Sequence, residues 1–134
     1  MSKVTNILLV DDVEYSRELL RSAVIASIND EKLPLRPQFF HEATTKKALE
    51  LLNLKDIHLV YLDINLVNEN GLELLKNIKE FSADISVVMV SGEGSTANVM
   101  SAIENGADGF IVKPFNTGRI VETLHKYLKK GHSK

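Results

Sequence analysis

Cysteine is absent from this chain of 134 residues. Its absence excludes a disulfide framework, a thiolate metal site and a cysteine nucleophile, and it suits a reducing compartment. Long hydrophobic runs are missing as well, because the first apolar stretch, which begins at residue 7, ends at Asp11. A stretch of that length is too short for the core of a signal peptide or for a membrane span. We therefore expect a cytoplasmic protein with no membrane segment.

An excess of charge of one sign is missing too. The 16 Lys and Arg residues nearly balance the 18 Asp and Glu residues, which gives a formal net charge of −2. No basic stripe indicates nucleic-acid binding, and nothing indicates a membrane surface as a partner. Hydrophobic residues at 44% and charged residues at 25% are typical of a globular domain. The length favours one domain over residues 1–134, with a core at about residues 5–130 and a frayed tail at residues 131–134.

Short apolar runs alternate with segments of helical spacing. The runs at residues 7–10, 38–41, 58–62, 85–90 and 109–112 are typical of buried strands. The segments between and after them predict five helices, which begin near Glu14, Thr44 or Thr45, Leu72, Ser95 or Thr96, and Thr117. Residues 29–37 are charged and contain two prolines, so they predict a loop. Strict alternation predicts an α/β fold, a doubly wound five-stranded parallel sheet with right-handed crossovers.

The same spacing predicts which side chains are buried. Leu19 is expected on the inner face of the first helix, and Phe81 and Met100 are expected in the core. His41 and His58 show no metal-ligand spacing with any other residue, so we interpret them as structural.

Polar residues capable of chemistry follow four of the predicted strands. Asp11 and Asp12 follow the first strand, Asp63 the third, Ser91 the fourth and Lys113 the fifth. The carboxyl ends of the strands in a doubly wound sheet share one edge, where ligands bind. Carboxylates brought together there repel one another, and a hard divalent cation such as Mg²⁺ relieves that repulsion. A cation beside a lysine makes a seat for a phosphoryl group, and a carboxylate in that seat can form an acyl phosphate.

Each of these residues also has an ordinary structural interpretation. Asp11 and Asp12 could cap the first helix. Asp63 and Ser91 could occupy turns, and Lys113 could be a solvated surface lysine. Their succession at strand ends favours the chemical interpretation over independent coincidences.

The sequence resembles the receiver domain of two-component response regulators, in particular the stand-alone chemotaxis regulator type, over essentially the whole chain. The matching stretches are ILLVDD at residues 7–12, LVYLDINL at residues 59–66, Gly71, VMVSG at residues 88–92 and GADGFIVKPF at residues 106–115. Their order and spacing are specific to that family. The resemblance implies a flavodoxin-like (CheY-like) sheet with strand order 2-1-3-4-5 and five helices.

The resemblance also implies the roles of the acidic residues and of the lysine. Asp63 matches the phosphoacceptor. Asp11 and Asp12 match the acidic pair that binds Mg²⁺, for which Mn²⁺ is a possible substitute. Asp63 itself and the backbone carbonyl of Asn65 complete the implied metal ligands. Lys113 matches the lysine that pairs with a phosphoryl oxygen.

Further roles are implied for the residues around this centre. Ser91 matches the switch hydroxyl that contacts the phosphoryl group, and Phe110 matches the switch aromatic that moves between exposed and buried positions. Pro114 matches a proline that usually follows a cis bond. Asn65 and Glu93 match the positions that tune dephosphorylation.

The function implied by the resemblance is a phosphorylation-controlled signalling switch. Its phosphoryl donor would be a sensor histidine kinase or a phosphotransfer protein. Its downstream protein partner would read the fourth helix, fifth strand and fifth helix. Such a domain is not an enzyme, except that it catalyses its own phosphorylation and dephosphorylation. No output domain follows residue 130, so we expect a stand-alone regulator or a receiver excised from a larger regulator or hybrid kinase.

Two departures from the family and three competing functions bear on this interpretation. Val67 stands where the family often has proline, and residues 29–37 form a longer loop than in the chemotaxis regulator. A pseudo-receiver scaffold would lack one acidic, hydroxyl or lysine position. A phosphatase with an aspartyl nucleophile usually has an acid where this chain has Asn65. A flavin-binding domain would need a phosphate loop where Asp11 and Asp12 would repel the phosphate.

Overall fold

The computed structural model describes residues 4–66 and 68–132. Val67 and the last two residues of the predicted tail lie outside the described residues. The strands of the main sheet are β1 (Val4–Val10), β2 (Arg36–Glu42), β3 (Leu59–Asp63), β4 (Ser86–Ser91) and β5 (Gly109–Val112). The helices are α1 (Glu14–Asp30), α2 (Thr45–Leu54), α3 (Gly71–Phe81), α4 (Thr96–Glu104) and α5 (Thr117–Tyr127). A π-helical turn, Leu128–His132, extends α5.

The five strands pair in parallel in the order β2-β1-β3-β4-β5. The predicted fold class and strand order are therefore confirmed. β1 and β3 lie in the middle of the sheet, so the residues that follow Val10 and Leu62 are neighbours at its carboxyl edge. In the described part of the chain, β2 pairs only with β1 and β5 only with β4, so these two strands form the edges.

Both faces of the sheet are covered by helices, and this explains why the central strands are apolar throughout. All five residues of β3 are buried. Its residues Val60 and Leu62 belong to the hydrophobic cluster that includes buried side chains of α2, α3 and α4. Leu59 and Tyr61 belong to a second cluster, with α1 and α5. Asp63 continues the alternation that places Tyr61 on the α1 and α5 side.

The loop predicted at residues 29–37 is shorter in the structure. α1 continues to Asp30 and β2 begins at Arg36. The helix is longer than predicted because local hydrogen bonds continue it: the Glu31 N–H donates to the Ser27 carbonyl at 3.1 Å. The strand begins earlier because Leu35 is buried and because β2 is an edge strand, where a proline such as Pro37 is tolerated.

Three predictions of burial are wrong. Leu19 is 47% exposed, Phe81 51% and Met100 55%. Phe81 is the last residue of α3 and lies beyond Ile78, which is fully buried. Ala102 is the one buried residue of α4, so that helix meets the sheet through a small side chain and Met100 remains outside. Helical spacing correctly predicts which side of a helix is apolar, but it does not define how wide the buried part of that side is.

A hydrogen bond between the hydroxyl groups of the buried Tyr61 and the half-buried Thr123 ties β3 to α5. The Tyr61 side chain is 1% exposed, and its hydroxyl lies 2.7 Å from Thr123 Oγ1. The Thr123 hydroxyl donates its own hydrogen to the Ile120 carbonyl at 2.7 Å. Tyr61 must therefore be the donor in the bond between the two side chains.

Asp108 organises the opposite, amino-terminal edge of the sheet. Its carboxylate accepts hydrogen bonds from Lys79 Nζ at 2.7 Å, from Lys130 Nζ at 2.6 Å and from the Val87 N–H at 2.8 Å. Burial alone would raise the pKa of Asp108, but these hydrogen bonds outweigh burial and lower it. One carboxylate thus joins α3, β4 and the turn after α5.

Candidate functional site

Three carboxylates meet at the carboxyl edge of the sheet. Asp11 directly follows β1, Asp12 comes next, and Asp63 is the last residue of β3. One oxygen of each carboxylate lies within 4.8 Å of the others. Asp11 and Asp63 are each 7% exposed, whereas Asp12 is half-buried. The topology predicted from the strand pattern therefore brings these side chains together.

Lys113 completes this centre from the end of β5. Its Nζ lies 3.0 Å from Asp63 Oδ2 and 3.1 Å from Asp11 Oδ2. Its backbone N–H donates to the Ser91 carbonyl at 2.7 Å, which continues the sheet pairing of β4 and β5. Burial disfavours the charged ammonium, but the bonds to Asp63 and Asp11 outweigh it and raise the pKa of Lys113. Lys113 is not the solvated surface lysine of the structural interpretation.

The electrostatics of Asp63 show a carboxylate in an unfavourable site. Burial raises the pKa of Asp63, and the charge of Asp11 raises it further. The Asn65 N–H and Lys113 act in the opposite direction without cancelling the effect. Three carboxylates beside one ammonium carry a formal charge of minus two when all are ionised.

A hard divalent cation fits the donor set of this cluster. Carboxylate oxygens are the ligands that Mg²⁺ prefers, and it keeps several waters, so two or three protein oxygens suffice. The charge of such a cation would also balance the formal charge of the site. Asp11, Asp12 and Asp63 are therefore suited to hold Mg²⁺ on the chemistry of their side chains.

The loop that carries Asp11 is fixed by local bonds. Asp11 Oδ1 accepts from the Val13 N–H at 2.9 Å, and the Asp11 N–H donates to the Glu42 carbonyl at 3.2 Å. The Arg17 guanidinium donates to the Asp11 carbonyl from the first turns of α1. The N-cap position of α1 is Val13, so neither aspartate is the N-cap. Sequence reasoning missed Arg17, for which the signal was a basic residue one turn into the helix after an acidic pair.

The segment after Asp63 turns back beneath it. The Asn65 N–H donates to Asp63 Oδ1 at 2.9 Å, and Asn65–Leu66 pairs with Glu69–Asn70 as a short antiparallel hairpin. The Gly71 N–H then donates to the Ile64 carbonyl at 2.7 Å. A Cβ at Gly71 would lie 2.2 Å from the Asp63 carbonyl oxygen, which no side chain permits. Gly71, known from the sequence only as part of the resemblance, allows this close approach.

The remaining predicted residues lie on β4, β5 and the loops after them. Ser91 is fully buried, and its Oγ accepts from the Glu93 N–H at 3.0 Å. The side chain of Glu93 is exposed. Phe110 is half-buried against the cluster on the α3 and α4 side of the sheet. The peptide bond between Lys113 and Pro114 is cis.

A cleft opens beside Lys113. It has a volume of about 410 Å³, and its lining includes Leu19, Pro114 and Phe115, which make it mostly apolar. Tyr15, which is 72% exposed, lies on the same helix as Leu19 and near its start. The carboxyl edge of the sheet is thus bordered, beside Lys113, by the exposed apolar side chain of Leu19. Within the described residues, no helix is both long and apolar enough to cross a membrane.

Comparisons with known proteins agree with this geometry. The family model for the response regulator receiver domain matches residues 7–125. Chemotaxis protein CheY of Thermotoga maritima is 31% identical over 124 residues, which are 92% of this chain and 97% of that protein. Chemotaxis protein CheY of Halobacterium salinarum is 31% identical over 122 residues, or 91% and 95% of the two chains.

Solved structures show the same arrangement of strands and helices. A CheY-like response regulator receiver domain protein from Methanospirillum hungatei superposes with a TM-score of 0.80 at 23% identity, over 96% of both chains. NtrX from Brucella abortus gives a TM-score of 0.76 at 32% identity, and the match covers 96% of this chain but 28% of NtrX.

Proposed function

Since this chain belongs to the response regulator receiver domain family, and is therefore a receiver domain of two-component signalling, we propose that it is a switch controlled by phosphorylation of Asp63. The observation that carries the proposal is the position of Asp63 beside two further carboxylates and Lys113. Receiver domains take their phosphoryl group from histidine kinases or phosphotransfer proteins. The donor proposed for this chain is accordingly a phosphohistidine on such a protein.

The chemistry proposed for Asp63 is nucleophilic. A carboxylate oxygen of Asp63 attacks phosphorus, a new P–O bond forms, and the bond from phosphorus to the donor's imidazole nitrogen breaks. Asp11, Asp12, Asp63 and the Asn65 carbonyl would hold Mg²⁺, which when bound neutralises carboxylate charge and stabilises the phosphoryl oxygens. Lys113 already contacts Asp63 Oδ2 at 3.0 Å, so its ammonium is placed to pair with a phosphoryl oxygen.

Ser91 supplies a second contact for the phosphoryl group. Its oxygen accepts a hydrogen bond from the Glu93 N–H, which leaves the hydroxyl hydrogen for another acceptor. Val90, the residue before Ser91, is the partner of Asp63 in the sheet register. Ser91 therefore follows the sheet partner of Asp63 at the carboxyl edge, and in this proposal its hydroxyl donates to a phosphoryl oxygen.

The donor protein would approach the cleft beside Lys113. Leu19 and Phe115 give this cleft an apolar lining, and Val13 and Tyr15, at the start of α1, are further exposed apolar side chains. A protein whose phosphohistidine is flanked by apolar residues fits a surface of this kind. Because Lys113 lines the cleft and contacts Asp63, binding there would bring the phosphohistidine close to Asp63.

The output surface proposed is formed by α4, β5 and α5. Met100 and Ile103 of α4 and Val112 of β5 are exposed apolar side chains on it. Inward movement of Ser91 would leave space beneath α4, which the half-buried Phe110 can fill. Phenylalanine has no hydroxyl to desolvate, so the inward state costs less than for tyrosine, and part of the population should be active-like before phosphorylation. A partner that prefers the phosphorylated form would in turn favour phosphorylation.

The phosphoryl group is expected to be lost spontaneously. Asn65 and Glu93 are polar and exposed, and both can orient an attacking water. Replacing both with bulky apolar residues should lengthen the lifetime of the phosphorylated form. Equal decay rates in the double variant and the natural protein would refute this role. In this proposal the domain catalyses only its own phosphorylation and dephosphorylation.

Mass measurement of the intact protein tests the central step. The protein is incubated with Mg²⁺ and a small acyl phosphate, beside Asp63→Asn and beside Asp84→Asn, a control at an exposed carboxylate. The natural protein and the Asp84 variant should each gain one labile phosphoryl group, and the Asp63 variant none. An undiminished yield in Asp63→Asn, or no gain in the natural protein, would contradict the proposal.

A further inference from the structure

The loop between β4 and α4 lies directly on the side chain of Val112. We propose that the contact between Gly94 and Val112 positions Ser91 and Glu93 for the phosphoryl chemistry, which makes Gly94 a positioning residue. This inference rests on the proposed function, because it concerns the same reaction at Asp63.

The closeness of the contact is seen from what a side chain at Gly94 would meet. A Cβ at that position would lie 2.5 Å from Val112 Cγ2, 3.5 Å from Cγ1 and 3.6 Å from Cβ. The shortest of these distances is well inside van der Waals contact. The φ angle of Gly94 lies outside the left-handed region, so any residue could adopt its backbone conformation. Glycine is needed here for space and not for its conformational freedom.

Both ends of this loop are anchored independently. Ser91 belongs to β4, and its carbonyl accepts from the Lys113 N–H at 2.7 Å. At the other end, Ser95 Oγ accepts from the Asn98 N–H at 3.2 Å and caps α4. Gly94 lies between these anchors. A displacement at residue 94 must therefore be absorbed by the short segment that includes Glu93.

Glu93 is the residue that connects this segment to Ser91. Its N–H donates to Ser91 Oγ at 3.0 Å, and its carbonyl accepts from Asn98 Nδ2 at 3.3 Å. Lifting the loop from Val112 would pull the Glu93 N–H away from the Ser91 hydroxyl. The Ser91 hydroxyl would then lose the hydrogen bond that its oxygen accepts, and with it the support for its position at the phosphoryl site.

Val112 cannot easily yield to an added methyl group. Valine is branched at Cβ, so its χ1 angle is restricted. Val112 is also the sheet partner of Ser91 and directly precedes Lys113. A shift of its backbone would therefore disturb two residues of the phosphoryl site.

Gly92 provides a matched control in the same loop. A Cβ at Gly92 would meet no atom within 4 Å, and its φ angle also lies outside the left-handed region. Gly92→Ala and Gly94→Ala thus add the same methyl group two residues apart. They differ in whether that methyl group meets Val112.

The test compares five proteins: the natural chain, Gly92→Ala, Gly94→Ala, Val112→Ala and the double variant Gly94→Ala with Val112→Ala. Phosphorylation by a small acyl phosphate with Mg²⁺ is followed over time, together with hydrogen exchange of the Glu93 amide. We expect Gly94→Ala to slow phosphorylation by about tenfold or more, since a misplacement of about 1 Å can cost about a hundredfold. It should also speed exchange at Glu93. Gly92→Ala should be phosphorylated at nearly the natural rate. The double variant should be phosphorylated almost as fast as Val112→Ala alone, because the added methyl group then has room.

Equal rates for Gly94→Ala and Gly92→Ala would overturn the inference, as would a double variant no faster than Gly94→Ala. A loss of phosphorylation in Gly94→Ala with unchanged exchange at Glu93 would also overturn it, because the loop would then not have moved. If the natural protein takes no phosphoryl group at all, the proposed function fails. In that case unchanged hydrogen exchange of the Glu93 amide in Gly94→Ala would separately rule out that the contact between Gly94 and Val112 positions the loop.

Discussion

The hydrogen bond between the hydroxyl groups of Tyr61 and Thr123 allows a quantitative prediction. Removing one hydroxyl leaves a buried polar group unpaired and removing the other does not, so the two losses of stability should differ. Thr123→Val keeps the shape of the side chain but leaves the buried Tyr61 hydroxyl without its acceptor. An unsatisfied buried polar group costs about 1–3 kcal/mol. Tyr61→Phe removes only the donor, and the Thr123 hydroxyl still donates to the Ile120 carbonyl. The cost is then that of one hydrogen bond, about 0.5–1.5 kcal/mol.

The double variant separates these costs. With both hydroxyls gone, no buried group is left unpaired, so the double variant should be more stable than Thr123→Val alone. Free energies of unfolding from urea titrations of all four proteins give the coupling between the two residues. In thermal melts the difference between the single variants should be a few degrees, since about 1 kcal/mol shifts Tm by roughly 3–6 °C at this size. The reasoning is refuted if Thr123→Val costs no more than Tyr61→Phe, or if the two losses add.

Alkaline pH gives an independent check on the same pair. Burial raises the pKa of Tyr61 far above the ordinary value of 10.0, and the hydrogen bond to Thr123 offsets little of that. The folded protein then keeps the phenol neutral while the unfolded chain ionises it. This part of the stability is fully present below about pH 10 and is lost as pH rises further. Tyr61→Phe should therefore lose less stability than the natural protein between about pH 9 and 11.

Three further predictions concern the carboxylates. Asp63→Asn should raise Tm at pH 7, because burial and Asp11 raise the pKa of Asp63, so that ionisation of Asp63 opposes folding. In thermal melts over a pH series, this gain in Tm should fade below about pH 4. Asp12→Ala should weaken Mg²⁺ binding in a calorimetric titration and leave the fold intact in circular dichroism, since it relieves repulsion; equal affinity would count against the site. Asp108→Asn should lower Tm at pH 7, because the bonded lysines outweigh burial and lower the pKa of Asp108. The loss of Tm should vanish as pH falls below about 4. A loss that persists at lower pH would show that charge is not its cause.

The fold was predictable because its central strands are apolar on both faces and most of its helices begin at polar residues. Residues 58–62 predict a buried strand, and β3 is buried over its whole length. Once alternation fixes a doubly wound sheet, the positions of Asp11, Asp63 and Lys113 follow from where their strands end. Their proximity is therefore a consequence of topology and needs no knowledge of side-chain packing.

Contacts between distant segments were not predictable in this way. Tyr61 and Thr123 are 62 residues apart, and nothing in the local sequence around either residue indicates contact with the other. The contact of Gly94 with Val112 depends on how a loop lies on a strand, which no local pattern encodes. The bounds of the loop after α1 were wrong for a related reason. Charge and proline indicated a loop, but the burial of Leu35 and the edge position of β2 decided where the strand begins.

The two edge strands have a consequence for how this domain meets other proteins. Proteins often associate by adding a strand to an unpaired sheet edge, and exposed edges promote aggregation by the same route. β2 carries Pro37, which has no N–H to donate, and begins with an exposed charged residue, Arg36. β5 has only four residues, which is short for a template. Neither edge favours backbone pairing, so we expect partners to recognise exposed side chains of the helices, the loops and β5 rather than to extend the sheet. Even at high protein concentration, we accordingly expect no pairing of strands between molecules.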